Sequence, residues 1–453
     1  MKNLSRRQLF GFSAASAAGI AAGAPVIREL AAAQVPSADA AVSGVVVVGG
    51  GMAGVSVAKY IRLWSGKTIP VTLIESTPDY TSNIMSNLVL NGSRSLSSLR
   101  YSYSKLASNY GVTVVRGTVT AVDTAAKTVT FAKSSGGSAT LPFGRLVVAP
   151  GIDLLPFPMT GSAANQAKVV HAWQAGPQTQ SLRDQIVAMP MDGTFILTIP
   201  AKPYRCPPGP YERACIVADW IKRNRRSLGN TKPQVIVLDA NPVIQAEAGN
   251  FTKAFNEIHA GVIQYVPNAV LQSVDADAGT VTTSAGTFRG NVLNVIPAHT
   301  AAKVARDLGL ATSATPAGGA FCPVDVLTYE STVLGKAGIH VLGDASATTQ
   351  PKAGHIANQE AKVCADAIVR LMSVPALPID QSPMTNSSCY SPITATTASW
   401  LSVVYRYDSD PASATYRTMV PVGGGATEAP AITSGNYNQM NTWFKVLMQD
   451  TFA

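Results

Sequence analysis

Charge is scarce in this chain. Asp, Glu, Lys and Arg together make up 13% of 453 residues, against 46% hydrophobic. That balance excludes a disordered chain, and the length is enough for two or three domains with their own cores. Basic residues cluster only at Lys222-Arg223-Asn224-Arg225-Arg226, with no interleaved aromatics to stack bases, so no nucleic-acid partner is expected. The net charge of +9 reads as a generally basic surface or, more sharply, as a docking face for an acidic partner protein. Cysteine is sparse too: Cys206, Cys215, Cys322, Cys364 and Cys389. No C-x-x-C-H offers a c-type haem and no C-x-x-C pair suggests zinc, so no metal is expected. The odd number leaves at least one cysteine unpaired in a monomer. Beyond the leader no run of about 18 apolar residues occurs, and no stable membrane insertion is expected.

Residues 1–40 read as an address. Lys2, Arg6 and Arg7 form a positive start, and Ser5-Arg6-Arg7-Gln8-Leu9-Phe10 is close to the twin-arginine pattern. A weakly apolar, Ala/Gly-rich run over 10–27 follows, with small-residue cleavage sites at Ala31-Ala32-Ala33 and Ala38-Asp39-Ala40. The expectation is export to the periplasm by a route that carries folded, cofactor-loaded proteins.

Residues 44–48 form a Val-rich run typical of a buried parallel strand. The turn Gly49-Gly50-Gly51-Met52-Ala53-Gly54 follows, then a helical pattern through Val55, Ala58, Tyr60 and Leu63. A second strand, Val71-Thr72-Leu73-Ile74, ends in Glu75. Gly49, Gly51 and Gly54 fit G-x-G-x-x-G: one for the tight turn, one for close approach of a pyrophosphate, one for helix-to-strand packing. The phosphates would sit on the helix N-terminus, and Glu75 is placed to accept the ribose hydroxyls. Short alternating strands are expected over 112–116, 118–123 and 128–131. The glycine motif alone does not separate NAD from FAD. Two later features do. Leu146-Val147-Val148-Ala149-Pro150-Gly151 resembles the strand-turn that re-enters the FAD domain in two-dinucleotide flavoproteins. Gly343-Asp344, after a strand at 339–342, resembles their third FAD motif, whose acid meets the ribityl chain.

A second α/β segment starts near Phe195 without a glycine fingerprint. Its strand runs into Pro200-Ala201-Lys202-Pro203-Tyr204-Arg205-Cys206-Pro207-Pro208-Gly209-Pro210. Prolines lack N–H groups, so this loop cannot cradle a pyrophosphate. It is a stiff loop presenting Cys206 where nicotinamide phosphates would otherwise lie, and a smaller electron donor is expected.

At these residues the chain resembles the flavoprotein subunit of flavocytochrome c sulfide dehydrogenase, over most of its length. The likeness is carried by Tyr80-Thr81-Ser82 with Ser86-Asn87-Leu88-Val89, by Pro203 through Arg213, and by Cys322-Pro323-Val324-Asp325. Gly343-Asp344-Ala345, Cys389-Tyr390-Ser391 and the Trp443-containing tail 438–452 add to it. The resemblance implies an α/β fold of two Rossmann-like, glutathione-reductase-like domains plus a small C-terminal flavin-binding region. The expected parts are an FAD-binding domain over 41–155, a second Rossmann-like domain over 156–305, a return to the first over 306–372, and an ordered cap over 373–453. It also implies a cysteine pair beside the flavin, a small inorganic sulfur substrate and a separate c-type cytochrome subunit. The family commonly has a cysteine after Tyr-Thr that bonds the flavin. Here that position is Ser82, so FAD is expected to be non-covalent.

Cofactor contacts are expected from Gly49, Gly51, Met52, Ala53, Gly54, Glu75, Ala149, Gly151 and Asp344, with Ser82, Asn87 and Val119 as further contacts. Lys352 either faces the flavin's electron-rich edge or is a surface lysine, and Trp443 either covers the ring or is a core aromatic. By motif position Cys206 and Cys389 form the redox pair. Hydrosulfide would attack their disulfide to give a persulfide and a thiolate. The helix after the loop is expected to lower the Cys206 pKa. Cys322, in a turn, is the reserve partner, while Cys215 and Cys364 read as core. Glu212 either relays protons or is simply an acid in a helix first turn. Two other functions fit the same residues: a periplasmic flavoprotein acting on another sulfur compound or thiol, and a non-catalytic FAD-bearing partner of a sulfur-oxidation complex.

Overall fold

The structure, a computed structural model, describes residues 44–453. The export signal read at 1–40 lies outside the described residues. The strand Val45–Val48, buried at every position, sits in the middle of an 11-stranded sheet. β-branched residues buried on both faces are what a central parallel strand needs. Val71–Glu75 pairs with it in parallel on one side and Arg145–Val148 on the other. Thr113–Asp123 and Ile339–Val341 extend this parallel centre outward. The helix Met52–Trp64 connects the first two strands, and the long helix Gly354–Leu371 packs against it. The chain thus returns after about residue 310 to complete the sheet it began.

Two strands expected over 112–116 and 118–123 are one strand, Thr113–Asp123, with a bulge between Val119 and Ala121. Gly117 lets it continue, because a Cβ there would meet the Ala132 carbonyl oxygen at 2.6 Å. Val119 is opposite Phe131 and packs in the apolar layer under this part of the sheet.

The middle of the chain builds a separate four-stranded parallel sheet, in the order Ile263–Val266, Val235–Asp239, Phe195–Ile199, Val292–Val295. Phe195–Ile199 is buried throughout and feeds the proline-rich loop, which ends in the helix Gly209–Asn224. The C-terminal region is a four-stranded antiparallel sheet, in which Met384–Pro392 pairs with Ala398–Tyr407 and the latter also with Met419–Pro421 and Thr427–Glu428, followed by the helix Ser434–Phe452. Among the described residues no helix is long and apolar enough to cross a membrane, and no group of three or more His, Cys, Asp or Glu is gathered for a metal.

The last helix is fastened to the first. Lys59 Nζ donates to the carbonyls of Asp450 (2.7 Å) and Ala453 (2.8 Å). The Asp450 carboxylate accepts from Tyr60 Oη and from Asn358 Nδ2 at 2.9 Å, and pairs with Lys362 at 2.9 Å. Phe452 stacks on both Tyr80 and Tyr101, at centroid distances of 4.9 and 5.4 Å. Charge-assisted bonds at a half-buried carboxylate are stronger than neutral ones. Asp450→Ala is therefore expected to cost about 2 kcal/mol, read as a lower midpoint of chemical unfolding. A midpoint within error of the parent's would show that stacking and the Lys59 bonds to the main chain hold this helix without the carboxylate.

Candidate active site

One cavity of about 440 Å³ runs from the first glycine turn to the cysteine loop. Its first end is built by the turn between Val45–Val48 and Met52–Trp64. Gly49 has φ 101, the left-handed region that disfavours side chains. A Cβ at Gly54 would meet the Gly49 carbonyl oxygen at 1.8 Å, so only glycine lets the helix sit this close. A Cβ at Gly51 would meet nothing within 4 Å: its face is open to the cavity. The helix carries no side-chain cap and no acid in its first turn, which leaves its N-terminus open to an anion. Glu75 lines the same end, held by Gly50 N at 2.6 Å and Thr77 N at 2.7 Å. Ala149, Gly151, Asp344, Met52 and Ala53 complete this wall. These residues fit a bound dinucleotide.

The far end carries the sulfur atoms. Cys206 and Cys389 both line the cavity, and both are free thiols in this structure. Cys206 has φ 58, unusual for a residue with a side chain. Its N–H donates to the Lys352 carbonyl at 2.7 Å, and its own carbonyl accepts from Gly209 N at 2.9 Å. Gly209 has to be glycine for a local reason: a Cβ there would meet Cys206 Sγ at 2.8 Å and the Trp173 ring at 2.9 Å. Arg205 reaches from the loop to Asp344, 3.7 Å away, and donates to the Trp173 carbonyl. Cys389 lies on Met384–Pro392, where the neighbouring Ser388 N donates to His355 Nδ1 at 3.0 Å. The His355 ring meets Trp443 edge-on at 5.9 Å, and both rings line the cavity.

Burial governs the electrostatics here. It pushes the Cys206 thiol well above its usual range, and the charges of Cys389 and Glu212 push the same way. The expected lowering by the helix dipole is overturned, because desolvation and neighbouring acids outweigh it. Burial, then the charge of Glu247, pushes Cys389 up to about 12. Glu212 is pushed up to about 8, again by burial first, with Asn87 and Arg213 opposing. The site therefore holds protons at neutral pH.

The remaining residues divide sharply. Asn87 is on the wall but works as a bridge. Its Nδ2 donates to the Gly209 carbonyl at 3.1 Å and to Glu212 Oε1 at 3.0 Å, and its Oδ1 accepts from Arg213 Nε at 2.9 Å. Ser82 is fully buried, and its hydroxyl turns to the Ile84 carbonyl at 3.0 Å. Lys352 does not bring its ammonium to the cavity. Nζ donates to the Ser346 carbonyl at 2.6 Å and lies 3.7 Å from the Phe321 ring centroid, so the backbone of Lys352 touches the cysteine loop instead. Val119 lies off the cavity on its bulged strand, and Gly54 acts by packing. Cys322 is on the strand Ala320–Asp325, not in a turn, and does not line the cavity. Cys215 and Cys364 are buried in separate cores. Sequence reasoning missed Arg205, Gly209, Arg213 and His355. The first three sit in or beside the proline loop, where adjacency was an available signal; His355 carried none.

Two family models match the chain. Residues 43–187 match the pyridine nucleotide-disulphide oxidoreductase model, and 179–297 match the central region of the sulfide dehydrogenase [flavocytochrome c] flavoprotein chain. Among solved structures, the sulfide:quinone oxidoreductase of Aquifex aeolicus is similar at 16% identity and a TM-score of 0.68, covering 91% of this chain and 92% of that one. The putidaredoxin reductase in its covalent complex with putidaredoxin is 16% identical with a TM-score of 0.61, covering 90% and 93%. An NAD-dependent persulfide reductase from A. fulgidus is 15% identical with a TM-score of 0.57, covering 89% and 77%. Identities this low speak for the fold, the glutathione-reductase-like arrangement of two dinucleotide-type domains. The first family match implies FAD. The chain is thus an oxidoreductase that joins a pyridine nucleotide-disulphide oxidoreductase domain to the central domain of the flavocytochrome c sulfide dehydrogenase flavoprotein chain.

Proposed function

We propose that the chain oxidises sulfide at a Cys206–Cys389 disulfide, with FAD as the first electron acceptor and a separate c-type cytochrome as the next. The observation that carries this reading is the meeting of both cysteines and Glu212 on one cavity that begins at a dinucleotide-type glycine turn. FAD, when bound, supplies a two-electron sink able to release electrons singly. Its pyrophosphate would lie on the Gly49–Gly54 turn, and Glu75 and Asp344 would meet its hydroxyls.

The chain's own residues do the rest. The hydrosulfide anion attacks one sulfur of the disulfide, one S–S bond breaks, and a new one forms to the substrate. A thiolate whose pKa is raised is a poor leaving group. Glu212, protonated at neutral pH, supplies the proton it needs, and Asn87 holds its carboxyl in place. The products are a cysteine persulfide, a thiol and the Glu212 anion, so atoms and charge balance. Arg205 and Arg213 beside the pair favour an anionic substrate. Release of electrons to a cytochrome fits a chain without a haem motif, and the net charge of +9 suits an acidic docking face. The twin-arginine-like start read at residues 1–40 supports a periplasmic site for this chemistry.

Ser82 cannot form a thioether, and its hydroxyl is committed to Ile84. FAD is therefore non-covalent. Acid precipitation should release the yellow colour to the supernatant; colour retained in the pellet would refute this.

Cys206→Ser should keep its FAD and lose sulfide-dependent flavin bleaching, by about 100-fold or more. Bleaching at the parent's rate would remove Cys206 from the mechanism and turn attention to Cys322.

The pH profile carries a third test. Glu212 acts in its protonated form, so the rate of flavin bleaching should fall as pH rises through about 8. In Glu212→Gln that limb should vanish while the rate drops about 100-fold. A limb that survives in the variant belongs to another group.

A further inference from the structure

Behind Glu212 lies a second buried carboxyl that the mechanism above leaves idle. Glu247 is 2% exposed. Its Oε1 accepts from Ser391 Oγ at 2.6 Å. Its Oε2 and the hydroxyl of Ser399, on the strand paired with that of Ser391, are buried beside each other with no other partner. Its backbone is held at φ 50, in the left-handed region, just ahead of the short helix Ala248–Lys253. A half-satisfied acid in the interior, on a strained backbone, is costly and contributes nothing to packing that an apolar residue would not.

Its surroundings point in two directions. Ser391 follows Cys389 by two residues on the same strand, and so shares its face. The charge of Glu247 acts on Cys389, on Glu212 and on Cys215. On the other side is Glu428, half-buried at the surface, whose charge acts on Glu247. Glu428 accepts from Gly249 N at 3.2 Å and Asn250 N at 3.0 Å, which fixes it over the start of the same short helix. The titratable groups that face Glu247 are thus Glu212 and Cys215 from the helix Gly209–Asn224, Cys389 from its strand, and Glu428 from Thr427–Glu428. Burial pushes Glu247 up to about 7, so it exchanges protons near neutrality.

We propose that Glu212, Glu247 and Glu428 form a proton exit from the cysteine pair to the surface, with Glu247 as its middle station. The inference rests on the sulfide-oxidising reading of the cavity. Hydrosulfide, the disulfide and protonated Glu212 give the persulfide, a thiol and the Glu212 anion. Closing the disulfide again releases zero-valent sulfur, two protons and two electrons. The electrons leave through FAD to a one-electron cytochrome acceptor. One proton restores Glu212, and the other has to reach solvent. The net change per turnover is hydrosulfide to zero-valent sulfur, one proton and two electrons. Glu247 Oε2 lies beside Ser399 Oγ, and Glu428 lies half-buried over the short helix that Glu247 precedes.

The test uses the FAD-loaded protein in three forms: parent, Glu247→Gln and Glu247→Asp, with FAD content as the check on folding. Steady-state sulfide oxidation with a cytochrome acceptor should fall about tenfold or more in the Gln form. The rate limb near pH 7 should disappear, and Asp should restore part of both. A structural role alone would not return with Asp. A second readout is independent of turnover. Removing the charge of Glu247 lowers the Cys389 pKa, so iodoacetamide should label Cys389 severalfold faster at pH 8 in the reduced Gln form. If the Gln protein does not accumulate, Glu428→Gln replaces it, with an expected loss of about threefold. A parent that oxidises sulfide beside a Gln form with the same rate and pH profile overturns the relay and leaves the function standing. A parent that sulfide does not reduce overturns both.

Discussion

The interior of this molecule turns on one buried cation. Arg213 is 1% exposed, and its guanidinium donates to Asn87 Oδ1, the His171 and Ala172 carbonyls and Asn294 Oδ1, at 2.7–2.9 Å. It also lies 4.7 Å from the Trp173 ring centroid. Those partners come from the first domain, from the segment between the domains, and from the edge strand of the second sheet. A buried charge is tolerated only where its donors are met, so the geometry of all three parts is specified at once. Trp173, fixed this way, donates Nε1 to the Arg205 carbonyl at 3.3 Å, one residue before Cys206. The position of the Cys206 sulfur is thus set through Arg213.

That arrangement has an electrostatic consequence. Around the cysteines burial raises both thiols and both acids, Glu212 and Glu247. It lowers Arg213 to about 9, still a cation at neutral pH. The thiols and Glu212 therefore hold their protons at neutral pH, Glu247 is near its midpoint, and the guanidinium stays charged. A substrate that brings its own negative charge meets a site short of anions. A substrate that had to be deprotonated by a site thiolate would find none. Neutral, proton-rich surroundings suit attack on a disulfide by an anion better than attack by an activated cysteine.

What could be read in the sequence was what is local. The first turn, its helix and Glu75 form one βαβ unit within about 30 residues, where Gly54 answers to the Gly49 carbonyl five residues before it. The proline-rich loop was equally legible, because missing N–H groups are a property of the residues themselves. The tail from 373 could be read as ordered from its aromatics, but not as an antiparallel sheet closed by a helix. Its fold depends on Lys59, Asn358 and Tyr80, far away in the chain. Lys352 shows the limit clearly. Its position in the motif is right beside the cysteine loop, yet Ser346 and Phe321, which no spacing rule brings together, draw the ammonium away. Asn87 and Glu247 are similar. An isolated polar residue says nothing about whether it will face a ligand, a neighbour or an acid.

The proline loop settles two matters with one set of atoms. Pro203, Pro207, Pro208 and Pro210 have no N–H to offer a phosphate. Four of those that remain are engaged: Lys202 N with Asn241 Oδ1 at 3.1 Å, Arg205 N with His299 Nδ1 at 2.9 Å, Cys206 N with Lys352 O, and Gly209 N with Cys206 O. A pyrophosphate arriving here would find no free donor among these four. The same bonds hold Cys206 in its left-handed conformation: three tether the loop to other segments, and the fourth closes the loop on itself. Relaxing that conformation would mean breaking one of them in a buried setting, where a lost hydrogen bond carries its full desolvation cost. The bonds that occupy these N–H groups are therefore also the ones that aim the Cys206 sulfur.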